Sequence, residues 1–270
     1  MVAAVEHILI ATEEDFDFDL QGFLVFQQLS SLVGMKADGT FEVISPGVAS
    51  DAAGIQTMSD GNLVVASPYE GVVNILNRET GVHDLLAGGL STPNGLEIGP
   101  GDTVWYTELG SNRVRWIDPA TRLGGLVSDQ VDLPNGLAFA PDSQALYVTA
   151  NGAGTEGLLK FTRTEDGFDG GTLFLAGAPG DFFDSVETDI CGNVYTVEYS
   201  TGNVFRVSKD GLIREIIADL VDVGYEGYSS IKWGNDIGEW SSSTLYITNR
   251  HKIFALDVGV PGTPDLLPPF

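Results

Sequence analysis

Pro93-Asn94-Gly95-Leu96-Glu97-Ile98, followed by Val104-Trp105-Tyr106-Thr107, returns as Pro134-Asn135-Gly136-Leu137-Ala138-Phe139, followed by Leu146-Tyr147-Val148-Thr149. Asn94 and Asn135 stand 41 residues apart, a spacing that suits one four-stranded propeller blade. Each copy sets an uncharged amide oxygen just before a buried strand. Two neighbouring repeats therefore aim two hard oxygen donors at one axis. The unit extends both ways: Asp15–Asp19 before Phe23-Leu24-Val25-Phe26, Ala53-Gly54-Ile55 before Leu63-Val64-Val65-Ala66, Asp184-Ser185-Val186 before Val194-Tyr195-Thr196-Val197, and Ser230-Ile231-Lys232-Trp233 before Thr244-Leu245-Tyr246-Ile247-Thr248. That makes six copies.

Short runs rich in Val, Ile, Tyr and Phe between Gly, Asp and Asn turns read as strands. No window sustains a 3.6-residue apolar period, so no long helix is expected. Six such repeats close into a ring with short, protected edges. The fold class read here is all-β, a six-bladed β-propeller in one domain spanning 1–270; a large sandwich would not repeat at this period. The last repeat ends after its third strand near Asp257, and Val5–Ile10, within the segment 1–12, reads as a spare strand that closes the last blade. Residues 261–270, with Pro261, Pro264, Pro268 and Pro269, read as a proline-rich tail.

The chain carries 38 acidic against 13 basic residues, a formal net charge of −25. Such a surface repels nucleic acid and anionic membranes and attracts cations. No apolar run approaches the roughly 20 residues of a membrane span. Met1–Glu6 lacks the basic segment and apolar run of a secretory signal. A soluble monomer acting on a small molecule is expected, in the cytoplasm or exported with a signal already removed. The single cysteine, Cys191, permits no internal disulfide and reads as a small half-buried residue. Gly152–Gly157 fits Gly-x-Gly-x-x-Gly but joins two strands, so a hairpin turn is read there in place of a dinucleotide site.

The order and spacing of these motifs resemble the senescence-marker-protein/gluconolactonase (regucalcin-like) family. The marks are Pro134-Asn135-Gly136-Leu137-Ala138-Phe139-Ala140-Pro141-Asp142, Asp184 leading into Cys191-Gly192-Asn193-Val194-Tyr195, and the closing Ile253-Phe254-Ala255-Leu256-Asp257-Val258. The resemblance implies a divalent ion, usually calcium, at one end of the central channel. Its ligands would be Glu14 from the first blade, Asn94 and Asn135 from the middle blades and Asp184 from the next. Here Phe16-Asp17-Phe18 stands where the family has a Glu-Gly-Pro segment, and Ser185 replaces a glycine. Thr92 stands where some sugar lactonases carry an arginine, which points toward a more apolar ester or lactone.

The chemistry suits that reading. Calcium takes six to eight oxygen ligands, so two carboxylates and two amides supply part of a shell and leave room for water and substrate. A bound cation polarises a carbonyl, and Asp184, held ionised beside it, is read as the catalytic base. Strand-end residues at the same mouth, Glu108, Asn151, Glu198, Tyr199, Asn249 and Arg250, are read as substrate contacts. Hydrolysis of a lactone or related ester is the function expected first. The alternatives are a non-hydrolytic cyclase or condensing enzyme on the same scaffold, or a binding propeller with a structural ion.

Overall fold

The computed structural model describes residues 5–9, 14–47, 52–220 and 227–264. Six antiparallel sheets form the blades of a β-propeller. The strands nearest the axis are Phe16–Phe18, Gly54–Thr57, Pro93–Gly99, Pro134–Phe139, Phe183–Thr188 and Ser230–Trp233. Among the described residues there is no α-helix, only a 3-10 turn at Leu109–Ser111. Each chain segment runs outward through its blade and returns to the axis to begin the next one, which is why the sequence repeats.

The core is six cores. One apolar cluster fills each seam between neighbouring blades: Val25, Leu32, Ile55 and Val65 join the first two, and Tyr195, Val197, Trp233 and Leu245 join the last two. Strand alternation explains this, because successive side chains serve opposite faces of a sheet whose two faces each meet a neighbour. The seam where the ring closes is aromatic. The Phe18 ring lies 5.1 Å from Trp240 and 5.0 Å from Tyr246, and the Trp240 indole donates to the Gly22 carbonyl at 3.1 Å. Such ring pairs add about 0.5–1.5 kcal/mol beyond their buried area.

Val5–Leu9 lies antiparallel to Lys252–Asp257 as the outermost strand of the sixth blade. The two ends of the chain therefore share one sheet. The rest of the 1–12 segment falls outside the described residues, as does most of the proline-rich tail, at 265–270. The tail's first residues are placed, with Gly262 bridging Asp189 and Thr263 bonded through its hydroxyl to Thr188 at 2.6 Å. Cys191 is exposed at its turn, not half-buried, because Gly192 and the Asp189 carboxylate turn the chain outward there.

Candidate functional site

The same irregularity occurs in three consecutive inner strands. Register shifts between Pro93 and Leu96, between Pro134 and Leu137, and between Phe183 and Val186. Each bulge puts one extra residue into the strand and re-aims its side chain. The residues it frees are Asn94, Asn135 and Asp184. They belong to strands, although Asn-Gly by itself is a common turn signal.

The glycines of the motif have a separate reason. A Cβ on Gly95 would sit 2.2 Å from the Asn135 carbonyl oxygen, and one on Gly136 would sit 2.6 Å from that of Asp184. Each glycine lets the next blade's backbone press against it. Threonine hydroxyls hold the same carbonyls: Thr107 donates to that of Asn135 at 2.7 Å and Thr149 to that of Asp184 at 3.3 Å.

The side chains converge. Asn94, Asn135 and Asp184 line one cavity with Asp15 and Lys232. It offers about 20 Å³, room for a single water-sized sphere. Asn135 is 3 % exposed, Asp184 4 % and Asp15 8 %. The Asn135 amide hydrogen-bonds the Asp184 carboxylate. Burial, followed by the negative charge of Glu14, pushes the Asp184 carboxyl well above the ordinary aspartate range, Asp15 adds to the rise, and Arg250 opposes it. Burial and like charge thus disfavour the ionised Asp184 expected from the sequence, and positive charge nearby favours it.

Glu14 forms an ion pair with the Arg250 guanidinium. Its backbone carbonyl accepts from the Ser229 hydroxyl at 2.6 Å. Asp15 accepts from the Ile55 amide at 2.8 Å and from the Ser230 hydroxyl. Burial raises its pKa despite Lys232 and these bonds.

A divalent ion suits this donor set. The Asp15 and Asp184 carboxylates and the Asn94 and Asn135 amides are hard donors around a one-sphere cavity that Glu14 does not itself line. The like charges that raise Asp184, Glu14 among them, are what a cation would relieve. No group of three His, Cys, Asp or Glu side chains arranged to hold a metal is found among the described residues. The set here is half amide.

A second layer lies deeper in the channel, and the sequence reading missed it. Three residues beyond Glu14, Asn94 and Asp184 stand Asp17, Glu97 and Glu187, all buried. Lys232, three beyond Ser229, sits among them, with Nζ 3.5 Å from Glu187. Burial works against its charge, but Glu187, Asp15, Asp17 and Glu97 outweigh it and hold the ammonium above the ordinary lysine range. The repeated offset of three was the available signal; at Glu97 and Glu187 a bulge followed by one strand alternation returns to the axis.

Four of the six expected substrate contacts, Glu108, Asn151, Glu198 and Asn249, also hold backbone groups through their side chains. Glu108 accepts from the Ser91 amide at 2.9 Å and the Ser111 hydroxyl at 3.2 Å. Asn151 brackets Phe183, accepting from its N–H at 2.8 Å and donating to its carbonyl at 2.9 Å. Glu198 accepts from the Phe182 and Thr201 amides at 3.1 and 2.6 Å. Asn249 accepts from the amides of His251 and Lys252 at 3.2 and 2.9 Å. Each fastens a turn at the mouth. Tyr199 and Arg250 have a different setting: the guanidinium lies 6.0 Å from the Tyr199 ring, which meets Phe182 edge-on at 5.7 Å. Together they form a half-exposed aromatic and cationic wall.

Comparison with known proteins agrees with this fold. Residues 116–251 match the model of the SMP-30/gluconolactonase/LRE-like region. No curated protein matches at a significant level. Among solved structures, a gluconolactonase from Xanthomonas campestris superposes with a TM-score of 0.78 at 22% identity, covering 97% of this chain and 89% of that one. The calcium-binding regucalcin of Agrobacterium tumefaciens gives 0.75 at 17% identity, covering 100% and 97%. Virginiamycin B lyase from Staphylococcus aureus gives 0.65 at 16% identity, covering 94% and 87%. At these identities the likeness speaks for the fold.

Proposed function

The chain belongs to the SMP-30/gluconolactonase/LRE-like family, and from that premise we propose that it hydrolyses a lactone or related ester with the help of a divalent ion, calcium first among the choices. Glu14, Asn94, Asn135 and Asp184 would hold the ion. The observation that carries this reading is the bulge repeated in three neighbouring blades, which turns two amides and a carboxylate into one cavity of single-ion size.

A divalent ion in this cavity supplies a Lewis acid for the substrate carbonyl. The chain does the rest. Asp184 accepts the proton of the attacking water at its carboxylate, oriented by the Asn135 amide. The Thr107 and Thr149 hydroxyls keep the two ligand-bearing backbones in register. Phe182 and Tyr199 give the ring of a lactone an apolar surface to lie on.

A panel of sugar, aliphatic and aromatic lactones, assayed with calcium and with a chelator, tests the proposal. Chelator-sensitive hydrolysis of at least one member is expected. Turnover that persists unchanged in chelator would remove the ion from the mechanism, and no turnover of any lactone or ester would remove the hydrolase reading.

A further inference from the structure

Arg250 sits on a fixed turn. Its backbone is left-handed at φ 68°, uncommon for a residue of this size. The turn is held by the Asn249 side chain, which accepts two backbone amides, and by the Thr248 hydroxyl, which accepts the Arg250 amide at 3.0 Å. The side chain is 36 % exposed and reaches across the ring closure to Glu14, 236 residues away in sequence. It also lies close enough to Asp184 to oppose the rise in that carboxyl's pKa. The other cation of the site, Lys232, is only 8 % exposed and committed to Glu187 below. Arg250 is therefore the cation at the mouth.

The charge count follows. With Lys232 paired to Glu187, Glu14, Asp15 and Asp184 against Arg250 leave a formal −2 when all are ionised, and a divalent ion brings this to zero. A site of that kind repels anions until it is loaded and no longer repels them afterwards.

Resting on the metal reading above, we propose that Arg250 competes with the divalent ion for Glu14, and that the ion's arrival releases the guanidinium to bind a carboxylate on the ligand. The ligand class is a hydroxy acid, which is what the opening of a lactone produces. The planar guanidinium fork matches a carboxylate bidentately. The Tyr199 ring keeps the guanidinium at the mouth after Glu14 has changed partner.

Calorimetry on the full chain tests this, first with calcium alone and then with glycolate, the smallest hydroxy acid, added to calcium-loaded and to chelated protein. Arg250→Gln should bind calcium at least about tenfold more tightly than the wild type, because a positive charge several ångströms from a divalent ion is removed. Glycolate should bind the wild type only with calcium present and should not bind Arg250→Gln. Arg250→Lys, which keeps the charge and loses the fork, should match the wild type with calcium and bind glycolate more weakly. Unchanged or weaker calcium binding by a folded Arg250→Gln overturns the competition. Glycolate binding that ignores calcium, or fails on the loaded wild type, overturns the carboxylate role. A wild type that binds no calcium brings down the metal reading itself, which separates that failure from this one.

Discussion

Replacing Lys232 with Met removes the cation on which the channel's interior depends. The two side chains are similar in length, so packing survives while Glu187, Asp15, Asp17 and Glu97 lose their common counter-charge. Lys232 and Glu187 are each only 8 % exposed, so water does little to compensate. Removing one partner of a buried pair costs about 3–5 kcal/mol. For 270 residues, an unfolding entropy of about 2.1 cal/mol/K per residue gives about 0.6 kcal/mol per kelvin. The melting temperature should therefore fall by about 5–9 °C at pH 7 in chelator. The deficit should shrink as the pH falls, because protonated carboxyls no longer need the ammonium. Calcium should raise the melting temperature of the variant by more than it raises that of the wild type. Differential scanning calorimetry at two pH values reads all three. A fall below about 2 °C at pH 7, or a deficit that grows on acidification, would refute the idea that Lys232 neutralises this channel.

Three further outcomes follow from the site. Asp184→Asn removes a buried carboxyl that Glu14 and Asp15 disfavour; its melting temperature in chelator at pH 7 should equal or exceed that of the wild type, while calcium affinity, read by calorimetry, falls by more than the roughly 10–100-fold typical of a supporting residue. Asp15 and Asp184 both have folded pKa values above the ordinary 3.8, so their contribution is fully present below that value and is lost as the pH rises through the raised ones. Thermal melts in chelator should show that loss, and the increment from calcium should grow over the same window. Gly95→Ala drives a methyl group to within 2.2 Å of the Asn135 carbonyl; a cost of about 1–3 kcal/mol and weaker calcium binding are expected, and unchanged values for both would mean that the close approach does not position Asn135.

What was legible in the sequence was whatever repeats locally. The recurrence of Asn94 and Asn135 at blade spacing, with Asp184 in the equivalent place, pointed to six blades and to an axis. The alternation of apolar residues along each strand marked the faces that now fill the six seams. Two of the deeper carboxylates, Glu97 and Glu187, were encoded three residues past a bulged position, while Ala138 holds that place after Asn135. Position along the strand did not disclose a structural use: Glu108, Asn151 and Glu198 each accept a backbone amide at a strand end.

By itself, then, the sequence determined the blade, its number of copies and the oxygen donors that begin the inner strands, because a blade is a local unit with a fixed strand period. Only the tertiary structure decided which charges meet. Arg250 reaches Glu14 because the ring closes the sixth blade onto the first, and Lys232 serves Glu187 on one side and Asp15 on the other because adjacent blades share the axis. Charge pairing depends on through-space distance. Closing the ring sets the distances between residues far apart along the chain, and local spacing in the sequence carries no record of them.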